Sequence, residues 1–195
     1  MFKFLSVFLM IAFASQTFAL DKQGKFAIKG VGNVSCKSFN ALIENENSYE
    51  KFMFVGWMNG YITAHNQHLS DNFDVVSWET SETLAGYLVA HCHKNPQLSY
   101  FQAVTQLVNE LYKDRIKEFV PDKNSLQKNS VEQVYIVVVQ RVQQKLTQLG
   151  YYSGKIDGLF SPECVAAITK FKQKNNLVSD KLLDQKTLFV LLKES

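Results

Sequence analysis

The chain has 195 residues, of which 46% are hydrophobic and 20% charged, with three prolines and a formal net charge of +3 at pH 7. That length holds one ordinary domain or two small ones, and the composition is that of a globular chain. A charge balance this close to neutral argues against nucleic acid as a partner, because such binding relies on a dominant basic surface.

The charge is unevenly placed. Residues 20–112 carry six basic and nine acidic side chains, a net of −3, whereas residues 113–195 carry fourteen basic and nine acidic, a net of +5. A cationic carboxy-terminal half suits an anionic polymer such as a cell wall, although ordinary surface charge accounts for the same numbers.

Residues 1–19 read as a signal peptide. Lys3 forms the basic start, Phe4 to Ala14 the apolar core, and Thr17-Phe18-Ala19 the small-x-small cleavage site. The apolar run is too short to cross a bilayer, and no cysteine follows the cleavage site, so neither a lipoprotein anchor nor a stable membrane span is expected after cleavage. The mature chain is expected to start near Leu20 and to be periplasmic or secreted. Three cysteines are an odd set for an oxidising compartment, and one bridge plus one leftover thiol is the simplest solution. Cys36 and Cys92 share one region and form the expected pair; their loop of nearly sixty residues contributes about 4 kcal/mol in the chain-entropy model. Cys164 is expected to be a buried free thiol, with a covalent dimer as the alternative.

Residues 20–34 are glycine-spaced and weakly periodic, and read as a loosely packed lead-in. Helical periodicity begins at Ser35. Ser48 is placed to cap a helix in which Phe52, Val55, Met58, Ile62 and His65 recur every three or four residues. Phe54, Trp57 and Tyr61 widen that face, so burial on two sides is expected. Gly60 costs this helix roughly 1 kcal/mol against alanine, which a close helix–helix approach would offset. After a polar loop, Ser81 to His93 carries Leu84, Leu88 and Cys92 on one stripe and ends at Asn95-Pro96. A further helix from near Gln97 presents Leu98, Phe101, Val104, Leu107, Val108 and Leu111.

The series Cys36, Trp57-Met58-Asn59-Gly60-Tyr61, His91-Cys92-His93-Lys94-Asn95-Pro96 and Ala103-Val104 with Leu107 resembles the HdeA-like group over most of residues 35–112. The resemblance implies a small exported helical domain with one disulfide. Members of the group include periplasmic acid-stress chaperones and immunity proteins against wall-degrading amidases. Fold alone does not choose between such roles.

Residues 113–130, with alternating charges, Pro121, Asp122, Asn124 and Ser125, read as a linker between two domains. Val131 to Val139 is rich in β-branched residues, but Val131, Val134/Tyr135, Val138, Val142, Leu146 and Leu149 keep helical register. Gly150 then supplies a helix C′ position. Asp157-Gly158 is a turn pair, and Ser161-Pro162-Glu163 gives an N-cap, a proline at N1 and an acid in the first turn of the next helix. That helix carries Val165, Ile168 and Phe171, with Leu177 at its far end.

Val139, Val142, Gln143, Leu146, Leu149, Gly150-Tyr151-Tyr152, Gly154, Asp157-Gly158, Phe160, Ala167-Ile168, Phe171, Asp184, Thr187-Leu188 and Leu191 together resemble the peptidoglycan-binding domain family. The resemblance covers about a third of the chain, within residues 131–195, and implies a three-helix module. Four positions depart from the family pattern: Ser161 replaces Gly, Cys164 Thr, Lys172 Gln and Asn176 Gly. Peptidoglycan contacts are expected at Tyr151, Tyr152, Asp157, Gly158 and Ser161, from the groups a shallow glycan groove requires. Amphipathic tyrosine rings suit sugar faces, and the start of the Ser161–Lys174 helix suits a stem carboxylate. Against this, one tyrosine, Leu159 and Phe160 are also expected to pack the module's core.

No catalytic constellation emerges. His65 and His68 are one turn apart and His91 and His93 flank Cys92, but no HExxH or CxxC spacing accompanies them, so no metal, cofactor or catalytic residue is expected. Cys164 lacks a nucleophile's context, and Asp157 has a turn role rather than a paired carboxylate. The expected molecule is an all-α, non-enzymatic exported protein of two small helical domains. One binds peptidoglycan and the other an envelope protein partner. The alternatives are a periplasmic acid-stress chaperone or amidase immunity protein, and, third, an accessory or catalytic wall hydrolase.

Overall fold

The computed structural model describes residues 21–43, 49–120, 135–178 and 182–194. The expected signal peptide, the Ser48 cap and most of the expected linker lie outside them. The described residues include seven α-helices: α1 (Cys36–Ile43), α2 (Tyr49–His68), α3 (Ser81–Lys94), α4 (Tyr100–Leu111), α5 (Ile136–Gln148), α6 (Pro162–Lys174) and α7 (Gln185–Phe189), the last continuing as a π-helical turn over Val190–Glu194. Among them there is no strand, only isolated bridges pairing Ser35 with Ser99 and Asp74 with Ile116. The all-α expectation holds.

Two apolar clusters organise the chain. In the first, Phe39 of α1, Phe54 of α2 and Tyr100 of α4 meet with ring centroids 4.8 to 5.0 Å apart. The Tyr100 hydroxyl donates to the Phe54 carbonyl at 3.1 Å, so this buried ring brings its own polar tip into a partner. The Cys36–Cys92 disulfide ties α1 to α3 beside it. Local chemistry sets the helix starts. Thr80 caps α3, and Ser99 caps α4 in a reciprocal capping box with Gln102, three residues later than the expected start near Gln97.

Helix α2 departs from its expected face. Phe54, Met58 and Ile62 are buried, but Phe52 is 73% exposed and Tyr49 76%. Nothing lies within 4 Å of a Cβ built at Gly60, so no helix approaches closely there and the expected offset is absent. The lead-in is tied down where it meets α2, since Trp57 Nε1 donates to the Lys29 carbonyl at 2.8 Å.

The second cluster packs α5, α6 and α7 through Val138, Val142, Leu146, Ile168, Phe171, Leu188 and Leu191. Helices α5 and α6 end alike. Tyr151 N–H donates to Leu146 O (2.8 Å) around Gly150, and Leu177 N–H donates to Lys172 O (2.9 Å) around Asn176, whose φ is 54°. Both are six-to-one C-terminal motifs that require a left-handed residue, and asparagine is the non-glycine residue that accepts one most readily. Lys172 is buried and lies 3.3 Å from Asp184, the residue that caps α7.

The two clusters are joined directly. Trp78, from the loop before α3, packs on the second cluster. The Gln185 side chain donates to Trp78 O (2.7 Å) and accepts from Thr80 N–H (3.0 Å) and the Thr83 hydroxyl (2.7 Å). Arg141 of α5 donates to Asp114 O at 2.7 Å, and Lys193 reaches Asp114 at 3.0 Å. Ile116 is buried and pairs with Asp74, so the chain just past α4 is packed rather than free.

Candidate functional site

The loop between α5 and α6 is built on one side chain. Gln143, fully buried in α5, donates from Nε2 to Asp157 Oδ1 (3.2 Å) and Leu159 O (2.9 Å), and its Oε1 accepts the Gly158 N–H (2.8 Å). A buried amide with all of these partners defines a loop geometry instead of merely tolerating it. The Asp157 carboxylate also accepts Leu159 N–H at 2.9 Å, closing the turn. That backbone donor, then the Gln143 amide, holds the Asp157 carboxyl below its ordinary value, so it is anionic at neutral pH. Gly158 has φ of +77°, and a Cβ there would lie 2.8 Å from Ile136 O, so the position excludes a side chain on two grounds.

The five expected contact residues come together on this loop but do different things. Tyr152 is 6% exposed, and its hydroxyl donates to Lys155 O at 2.8 Å. Ser161 accepts Cys164 N–H at 3.1 Å as the α6 N-cap. Gly158 is spent on the turn. Tyr151 is half-buried, its ring edge-on to Phe171 at 5.7 Å. Asp157 is exposed. In the same stretch of chain, Leu149, Ile156 and Leu159 are each about 40% exposed or slightly more, so Leu159 does not pack the core as expected. The start of α6 carries Pro162 and Glu163, with Glu163 accepting the Ser153 hydroxyl at 3.1 Å.

Gln143 was legible in the sequence only as a polar residue on an apolar helical register, the usual mark of a buried side chain with a dedicated partner. Leu149 was legible only as part of the helical register and Leu159 only as a core residue, and Ile156 carried no signal, so none of the three was marked as exposed apolar surface. Cys164 is buried and burial raises its pKa, which suits an inert thiol and leaves no exposed sulfur for a covalent dimer. His65 stacks on Tyr61 at 6.0 Å, and burial lowers its pKa. Among the described residues, no group of three or more His, Cys, Asp or Glu could hold a metal ion, and no helix is long and apolar enough to cross a membrane.

On the amino-terminal half, Phe26, Trp57, Tyr61 and Phe101 line an apolar groove of about 400 Å³. Trp57 and Tyr61 stack there at 5.6 Å, and the Tyr61 hydroxyl is taken by Thr105 at 3.1 Å.

Two family models match the chain: a peptidoglycan binding domain over residues 138–191 and the HdeA/HdeB family over residues 3–102. Both are of binding or chaperone type. No curated protein and no solved structure matches.

Proposed function

We propose that this chain, which belongs to the HdeA/HdeB family and also carries a peptidoglycan binding domain, is an exported, non-enzymatic protein that docks on the wall and presents its amino-terminal domain to an envelope protein partner. Residues 35–112 and 131–195 are the two working units. The observation that carries the reading is the Gln143-clamped loop. It holds an anionic Asp157 on a preset turn, in a stretch of chain that also carries the half-buried Tyr151 and the partly exposed Leu149, Ile156 and Leu159. Ring faces and aliphatic groups suit the apolar faces of sugars, and a fixed carboxylate suits their hydroxyls and amides. Tyr152, Gly158 and Ser161 maintain that shape from beneath. The disulfide fits a periplasmic or secreted location.

Wall binding raises the local concentration of the amino-terminal domain for a second, protein-directed event. A partner face is supported by Tyr49, Phe52 and Met53, large apolar side chains exposed on α2. The same face favours the second reading, a chaperone or amidase immunity protein.

Sedimentation with purified sacculi tests the first reading. The wild-type chain should co-sediment at moderate salt, and Ile156→Ser with Leu159→Ser should release it. Free passage of the wild type would overturn wall docking. Protection of an acid-denatured model enzyme, lost on Phe52→Ser with Met53→Ser, would then support the chaperone. A clearing zone on peptidoglycan zymograms would overturn the non-enzymatic assignment.

A further inference from the structure

Away from the wall-docking loop, a cleft of about 610 Å³ opens where α3 and α4 meet the end of the chain. Its volume falls within the range of small-ligand sites, about 300–1,000 Å³. One wall is apolar, presented by Leu107 and Phe189 with Leu88 and Leu111 buried behind them. Two polar tips on lining residues, the Tyr87 hydroxyl and His91 Nε2, are buried and have no hydrogen-bond partner among the described residues. They sit one turn apart on α3 and so address one side of that helix. Buried polar atoms without partners are rare, and two beside one cleft make its α3 side more polar than its apolar wall.

The charges around the cleft are uncommitted as well. Lys94, Lys113 and Glu110 line it without an ion-pair partner among the described residues, whereas Lys193 is already held by Asp114 (3.0 Å) and Glu79 (3.8 Å). An inorganic anion would leave Glu110 and the apolar wall unused, and an apolar ligand would leave the lysines unused. One chemistry answers all of them. A free carboxylate suits the lysine ammoniums, an amine suits Glu110, amide groups suit Gln106, and small apolar side chains suit Leu107 and Phe189.

We propose that the cleft between α3, α4 and the carboxy-terminal helix binds a short peptide with free ends, its carboxylate held by Lys94 and Lys113. Only the source of that peptide rests on the wall-docking reading: a chain anchored to peptidoglycan is surrounded by peptide stems. A protein's free carboxy terminus is the other source of the same chemistry.

Calorimetric titration of the full chain tests this with three probes: L-Ala-Leu-Ala with free ends, its carboxy-amidated form, and stem peptides released from sacculi by an amidase. A free-ended probe should bind, and amidation should weaken binding about tenfold, the scale of one lost charge-assisted contact. Lys94→Gln with Lys113→Gln should weaken it similarly without changing the circular dichroism spectrum. Glu110→Gln should weaken binding of the free-amine peptide but not of its N-acetyl form, a difference that a structural role would not produce. Preference for stem peptides identifies the wall as the source, and equal binding identifies a general peptide site. Absence of binding by every probe at millimolar concentration overturns the proposal, as does an affinity indifferent to amidation and to the lysine substitutions. Retention on sacculi is read separately, and the lysine variant should still co-sediment, so the two readings fail independently.

Discussion

The buried amide of Gln143 accepts the backbone N–H of Gly158 at 2.8 Å while its other end holds Asp157 and Leu159, so one side chain of α5 shapes the whole turn before α6. Replacing it by leucine leaves the Gly158 N–H and the Leu159 carbonyl without their partner. Gln143→Leu should destabilise the chain by about 1–3 kcal/mol, the cost of unsatisfied buried groups, as read from urea denaturation. It should also abolish retention on sacculi. An unchanged midpoint would mean that the turn stands without the clamp.

Gly158→Ala should be at least as damaging, because it combines a positive φ with a Cβ against Ile136. Gly154→Ala and Gly158→Ala can be compared by thermal melts; if Gly158→Ala is neutral, the left-handed turn is not the state in solution.

Gln185 bolts the two clusters through Trp78, Thr80 and Thr83. Gln185→Ala should cost about 1–2 kcal/mol for the part-buried groups of Trp78, Thr80 and Thr83 it leaves unpaired. Amide exchange should accelerate at residues 78–83 and near α7, while the Phe39–Phe54–Tyr100 cluster keeps its protection. Uniform loss of protection would contradict an interface-specific role.

Burial holds the Glu79 carboxyl above its ordinary value of 4.5; the backbone N–H groups of Glu79 and Trp78, then Lys193 at 3.8 Å, offset this only in part. A raised folded-state pKa means the folded chain binds the proton more tightly than the unfolded chain. The stabilising contribution is therefore complete below pH 4.5 and is lost as pH rises through the folded pKa. Glu79→Gln should flatten that dependence and raise the urea midpoint at pH 7 relative to wild type, with little effect at pH 4. Asp157 acts in the opposite sense, since its lowered pKa contributes stability above the ordinary 3.8 that is lost on acidification. A Glu79→Gln variant whose midpoint falls at pH 7 would show that the Lys193 contact outweighs desolvation.

The Cys36–Cys92 bridge closes a loop with a sequence separation of 56. Its removal by Cys36→Ser with Cys92→Ser should cost about 4 kcal/mol, measured by chemical denaturation against the oxidised chain. Cys164 should react with a thiol reagent only once the chain is unfolded. Rapid labelling of the native protein would contradict its burial.

What the sequence determined by itself was local. Apolar spacing located the longer helices and Ser161 was legible as the cap of α6; Thr80, Ser99 and Asp184 supply the same local chemistry at α3, α4 and α7. Gly150 and Asp157-Gly158 specified a turn because their conformational preferences act within a few residues. The shared region of Cys36 and Cys92 was enough to pair them. Only the tertiary structure decided which side of α2 is covered, leaving Phe52 in solvent and Phe54 in the core, since both lie on an apolar surface wider than its partners. It also decided that Gln143 faces the turn, that Lys172 finds Asp184, and that Gln185 meets Trp78, 107 residues away. Periodicity describes how one element would bury a face; it carries no information on which distant group arrives to satisfy a polar atom on it, and the functional surfaces of this chain are made of such meetings.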